Sequence, residues 1–75
     1  MPNNDSLLTH DNLKALVHEK MPFGRYKGSV IADLPEEYLL WFEKKEFPNG
    51  RLGDLLKLAL MLNIDGSIAI LEPLR

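Results

Sequence analysis

The residues whose types and spacing suggest chemistry lie in one short segment, residues 21–28 (MPFGRYKG). Aromatic rings, cationic side chains and glycines coincide there. Cations neutralise phosphates, and aromatic rings stack on unpaired bases. We therefore predict a nucleic-acid-binding site formed by Lys20, Arg25, Tyr26 and Lys27, with single-stranded nucleic acid as the partner.

A structural interpretation competes with this one. Phe23 and Tyr26 would belong to the hydrophobic core, packed on Trp41 and Phe42, while the neighbouring charges only keep the segment soluble. The sequence leaves both interpretations open.

Catalytic and metal chemistry have little support. His10 and His18 are eight residues apart, which on a helix turns them about 80 degrees away from each other and two turns apart, so they do not share a metal. Glu36 and Glu37 are adjacent and suit the start of a helix better than an acid-base pair. The glycines of residues 21–28 lack the spacing of a phosphate-binding loop. We expect no catalytic residue, no metal and no cofactor, and hence a protein that is not an enzyme.

Length and composition limit the range of functions. A chain of 75 residues without cysteine is one domain, residues 1–75, with a marginal core and no disulfide. Its net charge of -2 argues against electrostatic binding of nucleic acid over the whole surface, so a basic site must be local. The sequence has no apolar stretch of about 20 residues, so we expect no membrane association and a cytoplasmic location. Residues 1–8 are expected to be loosely ordered.

The elements that must position the basic and aromatic residues follow from periodicity and turn signals. Apolar spacing predicts a first helix over about residues 10–19, capped by Thr9 or Asp11. Residues 23–26 and 29–31 are short and rich in aromatic or β-branched types. They predict a two-stranded β-ribbon that bends at residues 27–28.

The second half predicts three further helices. The first spans about residues 34–46, with Asp33 and Glu36 as a capping box, and receives the ribbon on its aromatic face. The next spans about residues 51–63 and is capped by Asn49, and a short final helix follows Ser67. The predicted fold is α+β in the order α, β, β, α, α and a short α. The aromatic face of the second helix consists of Tyr38, Trp41 and Phe42.

The helix over residues 51–63 supports an alternative function. Its apolar residues nearly surround it, so it is either the central helix of the domain or partly buried against another chain. In the second case it is a protein-interaction or self-assembly surface, giving a homodimer or a complex with a protein partner, through Leu58, Leu60 or Met61.

Three motifs in order resemble those of a known family. They are Met-Pro-Phe-Gly-basic-Tyr-Lys-Gly at 21–28, Leu-Pro-x-x-Tyr-Leu-x-Trp at 34–41 and Phe-Pro-x-Gly-x-Leu-Gly at 47–53. This pattern resembles the small bacterial domain family described as a putative quorum-sensing-regulated virulence factor, over about residues 11–71. The resemblance implies a domain whose biochemical function is unassigned.

The first two motifs also resemble the short module found C-terminal to the catalytic domain in exodeoxyribonuclease X-like proteins. That likeness implies a DNA-linked accessory role, with Arg25, Tyr26 and Lys27 as contact positions. Arg25 stands where that motif usually has lysine. The arginine keeps the positive charge, and its planar guanidinium can donate two hydrogen bonds to a phosphate. The acidic Asp-x-Glu set of the exonucleases is absent from this sequence, so the likeness does not extend to hydrolysis.

Overall fold

The computed structural model describes residues 8–75, and within them the chain forms helices and no β-strand. The predicted loose start, apart from Leu8, lies outside the described residues. Helix α1 spans His10–His18, α2 spans Glu36–Lys45 and α3 spans Arg51–Ile64. A 3₁₀ turn covers Ile31–Asp33, and a C-terminal 3₁₀ segment covers Ile68–Leu74.

Helix α3 is the centre of the fold. It packs against α1, α2, the 3₁₀ turn and the C-terminal 3₁₀ segment. This packing within one chain accounts for its wide apolar surface. No helix within residues 8–75 is long and apolar enough to cross a membrane. The buried residues of α3 are Gly53, Leu55, Leu56, Leu58, Ala59, Leu60 and Leu62.

Helix α1 begins and ends close to the predicted residues. The Oγ1 atom of Thr9 accepts a hydrogen bond of 3.1 Å from the backbone N–H of Asn12, which satisfies one of the free donors at the helix start. The helix ends at His18 because Glu19 is already extended. Its buried side, which includes Leu16, faces the two 3₁₀ elements and α3.

The predicted β-ribbon is wrong, and with it the α+β fold class. Gly24 and Gly28 have φ angles of +80° and +91°, which turn the chain instead of extending it. Two turn hydrogen bonds follow: Lys27 N–H donates to the Gly24 carbonyl at 3.1 Å, and the next turn is closed by Ser29 N–H donating to the Tyr26 carbonyl at 2.9 Å. Residues 23–26 and 29–31 therefore do not pair.

The same residues form a closed loop, which we call the 21–29 loop. Met21 N–H donates to the Ser29 carbonyl at 2.8 Å, and Gly28 N–H donates to the Met21 carbonyl at 2.8 Å. Lys20 and Val30, the residues that flank the loop in the sequence, form one isolated antiparallel β-bridge. Met21 is 1% exposed, so its side chain anchors the base of the loop in the core.

Two predicted helix caps are also wrong. Helix α2 begins after Pro35, without a side-chain cap, and no capping box forms between Asp33 and Glu36. The Asp33 carboxylate instead accepts a 2.7 Å hydrogen bond from Arg75 Nη2. That hydrogen bond raises the pKa of the Arg75 guanidinium, and the hydrogen bond from Arg75 to Glu72 contributes to the same effect as the second-largest cause.

The start of α3 depends on glycine. The residue before the helix is Gly50, with a φ of +82°, and Asn49 does not cap it. Inside the first turn, a Cβ added at Gly53 would overlap the carbonyl oxygen of Pro48. The chain between α2 and α3 therefore crosses the helix at a distance that only glycine permits.

Gly53→Ala is expected to destabilise the domain by at least about 2 kcal/mol, because the clash is with backbone and no side chain can move to relieve it. Urea unfolding followed by circular dichroism measures the loss. Asp54→Ala, at the exposed neighbouring position, is the control and should cost less than about 1 kcal/mol. An unchanged unfolding midpoint for Gly53→Ala would contradict the close crossing.

Candidate functional site

An open groove of about 550 Å³ runs along the junction of the 21–29 loop and helix α2. We call it the aromatic groove. The loop contributes one wall and the helix the other. Its lining residues are Phe23, Gly24, Arg25, Tyr26, Glu37, Tyr38, Trp41 and Phe42.

Two contacts fix the loop against α2. The rings of Tyr26 and Tyr38 lie 4.6 Å apart between centroids, tilted by 59°. Beside them, a Cβ added at Gly24 would lie 3.0 Å from the Tyr38 hydroxyl oxygen, and the backbone there has positive φ. Glycine at this position lets the loop lie directly on the Tyr38 side chain.

The helical wall follows from the spacing of the aromatic residues of α2. Leu39 and Phe42, three residues apart, face the core and are 0% and 5% exposed. Tyr38 and Trp41 lie on the adjacent flank, their ring planes within 3° of parallel and their centroids 6.4 Å apart. Both rings meet Phe42 edge-on, at 5.1 Å and 5.0 Å. Phe42 is therefore the floor of the groove, while Tyr38 and Trp41 form its side.

Large aromatic surfaces remain open to water in this groove. Phe23 is 45% exposed and Trp41 is 50% exposed. Exposed apolar area contributes nothing to folding, and its clustering marks binding surfaces. Tyr26 is only partly exposed, and the Arg25 guanidinium lies over its ring at 5.7 Å from the centroid. Phe23 and Trp41 consequently offer more free ring surface than Tyr26 does.

The predicted basic residues are free of acidic partners in the described structure. Lys20, Arg25 and Lys27 are all exposed. The ion pairs within residues 8–75 join Arg51 to Glu19 and Arg75 to Asp33 and Glu72, and use none of these three cations. Arg25 lines the groove, Lys27 lies two residues farther along the loop, and Lys20 lies at its base.

The residues predicted for a partner interface lie elsewhere. Leu58 and Leu60 are 0% and 4% exposed and belong to the core of this chain. Met61 is half-buried and lines a second groove of about 370 Å³, together with Ile64, which is 59% exposed. The open face of α3 therefore carries Met61 and Ile64. Of the two leucines, only the almost fully buried Leu60 reaches the lining of this groove.

The predicted site, Lys20, Arg25, Tyr26 and Lys27, includes neither Trp41 nor Phe23, although Phe23 lies among these residues in the sequence. Trp41 was placed in the core because the aromatic residues of α2 form one broad face. Helical spacing distinguishes the exposed Trp41 from the buried residues of α2. Leu39 and Phe42 define the buried stripe, and Trp41 precedes Phe42 by one residue, a rotation of about 100 degrees that turns it away from the core. No such signal exists for Phe23, because its exposure depends on the turns at the neighbouring glycines.

A family model described as "Putative quorum-sensing-regulated virulence factor" matches residues 9–74. Two similar proteins, each named "Uncharacterized protein YpeB", come from Escherichia coli strain K12 and Escherichia coli O157:H7. Each is 46% identical over 66 residues, which cover 87% of this chain and 92% of the relative. No solved structure matches the chain.

The groove geometry predicts different stability effects at two neighbouring positions. Trp41→Ala should cost less than about 1.5 kcal/mol because half of the side chain is already in water. Phe42→Ala should cost about 3 kcal/mol or more, since it empties the floor of the groove. Urea unfolding of both variants provides the comparison, and equal losses would show that Trp41 is a core residue.

Proposed function

This chain belongs to the family described as "Putative quorum-sensing-regulated virulence factor", as its three motifs predicted, and we propose that it is a non-enzymatic module that binds single-stranded nucleic acid in the aromatic groove. The family description concerns regulation and names no ligand, and both relatives are uncharacterized. The proposal therefore depends on the groove itself. Its setting would be the cytoplasm, where nucleic acid is accessible.

One observation carries the proposal: two exposed aromatic faces, Phe23 and Trp41, border one groove beside a loop with unpaired cations. Stacking of a base on an aromatic side chain is worth about 1–3 kcal/mol and requires that the base be unpaired. The groove volume of about 550 Å³ lies within the range of pockets that hold small ligands. An unpaired base can place its ring face against the aromatic side chains of such a groove. In a duplex the base faces are stacked on one another and only the base edges are accessible, so the groove favours single strands.

The cations complete the recognition of a nucleic acid strand. Arg25 lines the groove and Lys27 follows two residues later on the loop, and both would neutralise phosphates of a strand whose base occupies the groove. The net charge of the whole chain is -2, so the attraction must come from these local charges. We therefore expect modest affinity that falls as salt concentration rises.

The sequence resemblance supports nucleic acid over a peptide ligand. The first two motifs resemble the module that follows the catalytic domain in exodeoxyribonuclease X-like proteins. Those motifs contribute both walls of the groove, since residues 21–28 form the loop wall and residues 34–41 contain Glu37, Tyr38 and Trp41. The proposed role is thus that of a DNA-linked accessory surface.

Replacing Arg25 and Lys27 together by alanine is expected to weaken single-strand binding several-fold at about 50 mM salt without unfolding the domain. Each lost phosphate contact removes about 0.7 from the slope of log affinity against log salt, so the slope should fall by about 1.4. Fluorescence anisotropy of a labelled thymidine dodecamer measures both quantities.

The matched control is the double variant Lys14→Ala, Lys57→Ala, which makes the same change in net charge on exposed residues outside the groove. It should keep nearly all of the affinity and the salt slope. If both double variants weakened binding equally, the loss of affinity would be due to the change in net charge and not to Arg25 and Lys27. A wild-type protein that binds no oligonucleotide at ~50 mM salt would contradict the proposal altogether.

A second candidate function is self-assembly through the open face of α3. The observation that favours it is Ile64, which is 59% exposed beside the half-buried Met61. The interface would be smaller than predicted, because Leu58 and Leu60 are buried within the chain. Two copies would meet through a symmetric contact centred on Ile64.

Light scattering at micromolar concentration separates the two functions. The nucleic-acid proposal expects a monomer of 8.6 kDa. If the protein self-assembles, the measured mass should be twice that value, and the Ile64→Asp substitution should return it to the monomer mass. Ile70→Asp is the control, because Ile70 is 49% exposed outside this face. A dimer that survives Ile64→Asp would exclude this face as the interface.

A further inference from the structure

One acidic residue lines the aromatic groove together with the aromatic residues. Glu37 is exposed, lines the groove and precedes Trp41 by four residues. Side chains four residues apart are neighbours on a helix surface, about 5–6 Å apart at Cβ. Glu37 takes part in none of the ion pairs or side-chain hydrogen bonds found within residues 8–75. Its carboxylate oxygens therefore have no partner within residues 8–75, on a residue that shares the groove lining with Trp41.

The start of helix α2 does not by itself explain this placement. Glu36 and Glu37 both lie in the first turn, where negative charge is favourable, but only Glu37 lines the groove. A carboxylate repels phosphate, so it would weaken binding if the backbone of the strand lay against it. It suits the groove only if the edge of a base meets it while the backbone lies toward Arg25 and Lys27.

We propose that Glu37 gives the aromatic groove a preference for guanine, an inference that rests on the proposed binding of single strands there. An ionised carboxylate only accepts hydrogen bonds. Guanine presents two adjacent donors on its pairing edge, the N1–H and the N2 amino group, which match the two carboxylate oxygens. Adenine and cytosine each present an amino donor next to an acceptor nitrogen. Thymine presents a single N–H between two carbonyl oxygens that repel the carboxylate.

The test uses three dodecamers that differ only at isolated positions in a thymidine background: thymine, guanine, or inosine, which keeps N1–H and lacks the N2 amino group. Isolated positions prevent the guanines from associating with one another. Wild-type protein should bind the guanine oligomer about tenfold more tightly than the all-thymidine one, with inosine in between. Anisotropy titrations at low salt give the three affinities.

The variant Glu37→Ala should bind all three oligomers with affinities that agree within about twofold, because the acceptor has been removed. Glu36→Ala is the matched control: it removes the same charge from the same helical turn outside the groove and should keep the tenfold preference. Circular dichroism verifies that both variants keep the helical fold.

Two results would overturn the inference while leaving single-strand binding intact. One is wild-type protein that binds the three oligomers equally, and the other is a guanine preference that persists in Glu37→Ala. The absence of binding to every oligomer would instead overturn the proposed function, and the role of Glu37 with it.

Discussion

The burial of one broad face of helix α3 is the constraint on which the rest of the structure depends. Each other helical element of the described chain packs against it, and its leucines supply much of the core. In a domain of this size without disulfides, such burial is the main source of stability. The close crossing at Gly53 fixes how α2 enters this arrangement. Once Leu39 and Phe42 of α2 face the core, Trp41 must lie on the open flank.

The residues of the loop and of α2 divide into those that folding requires and those that it does not. Met21 anchors the loop in the core, and Gly24 and Tyr26 fit it against Tyr38. None of these contacts requires Phe23 to be aromatic or Arg25 to be charged. Phe23 is about half exposed, and Arg25 has no acidic partner within residues 8–75. The structure thus presents a packed frame around side chains that are exposed to solvent and have no acidic partner within residues 8–75.

Much of the helical framework was predictable from the sequence, because apolar spacing determines which face of each helix is buried. The limits of α1 and α3 differ from the prediction by one residue each, and α2 is shorter by two residues at its start and one at its end. The β-ribbon was wrong because short aromatic and β-branched runs favour strands, whereas the positive φ angles at Gly24 and Gly28 favour turns. The capping role of Asp33 was wrong because its carboxylate bonds Arg75, far along the chain. Such long-range contacts leave no local signal.

The central claim, that the groove beside Trp41 holds an unpaired base, is tested most directly by fluorescence. The chain has one tryptophan, so its emission reports on this groove alone. Titration of wild-type protein with an unlabelled single-stranded oligonucleotide at low salt should quench and saturate that emission, because a base stacked on the half-exposed indole displaces water from it. Binding detected by anisotropy with unchanged Trp41 emission would contradict the claim, since the strand would then occupy another surface.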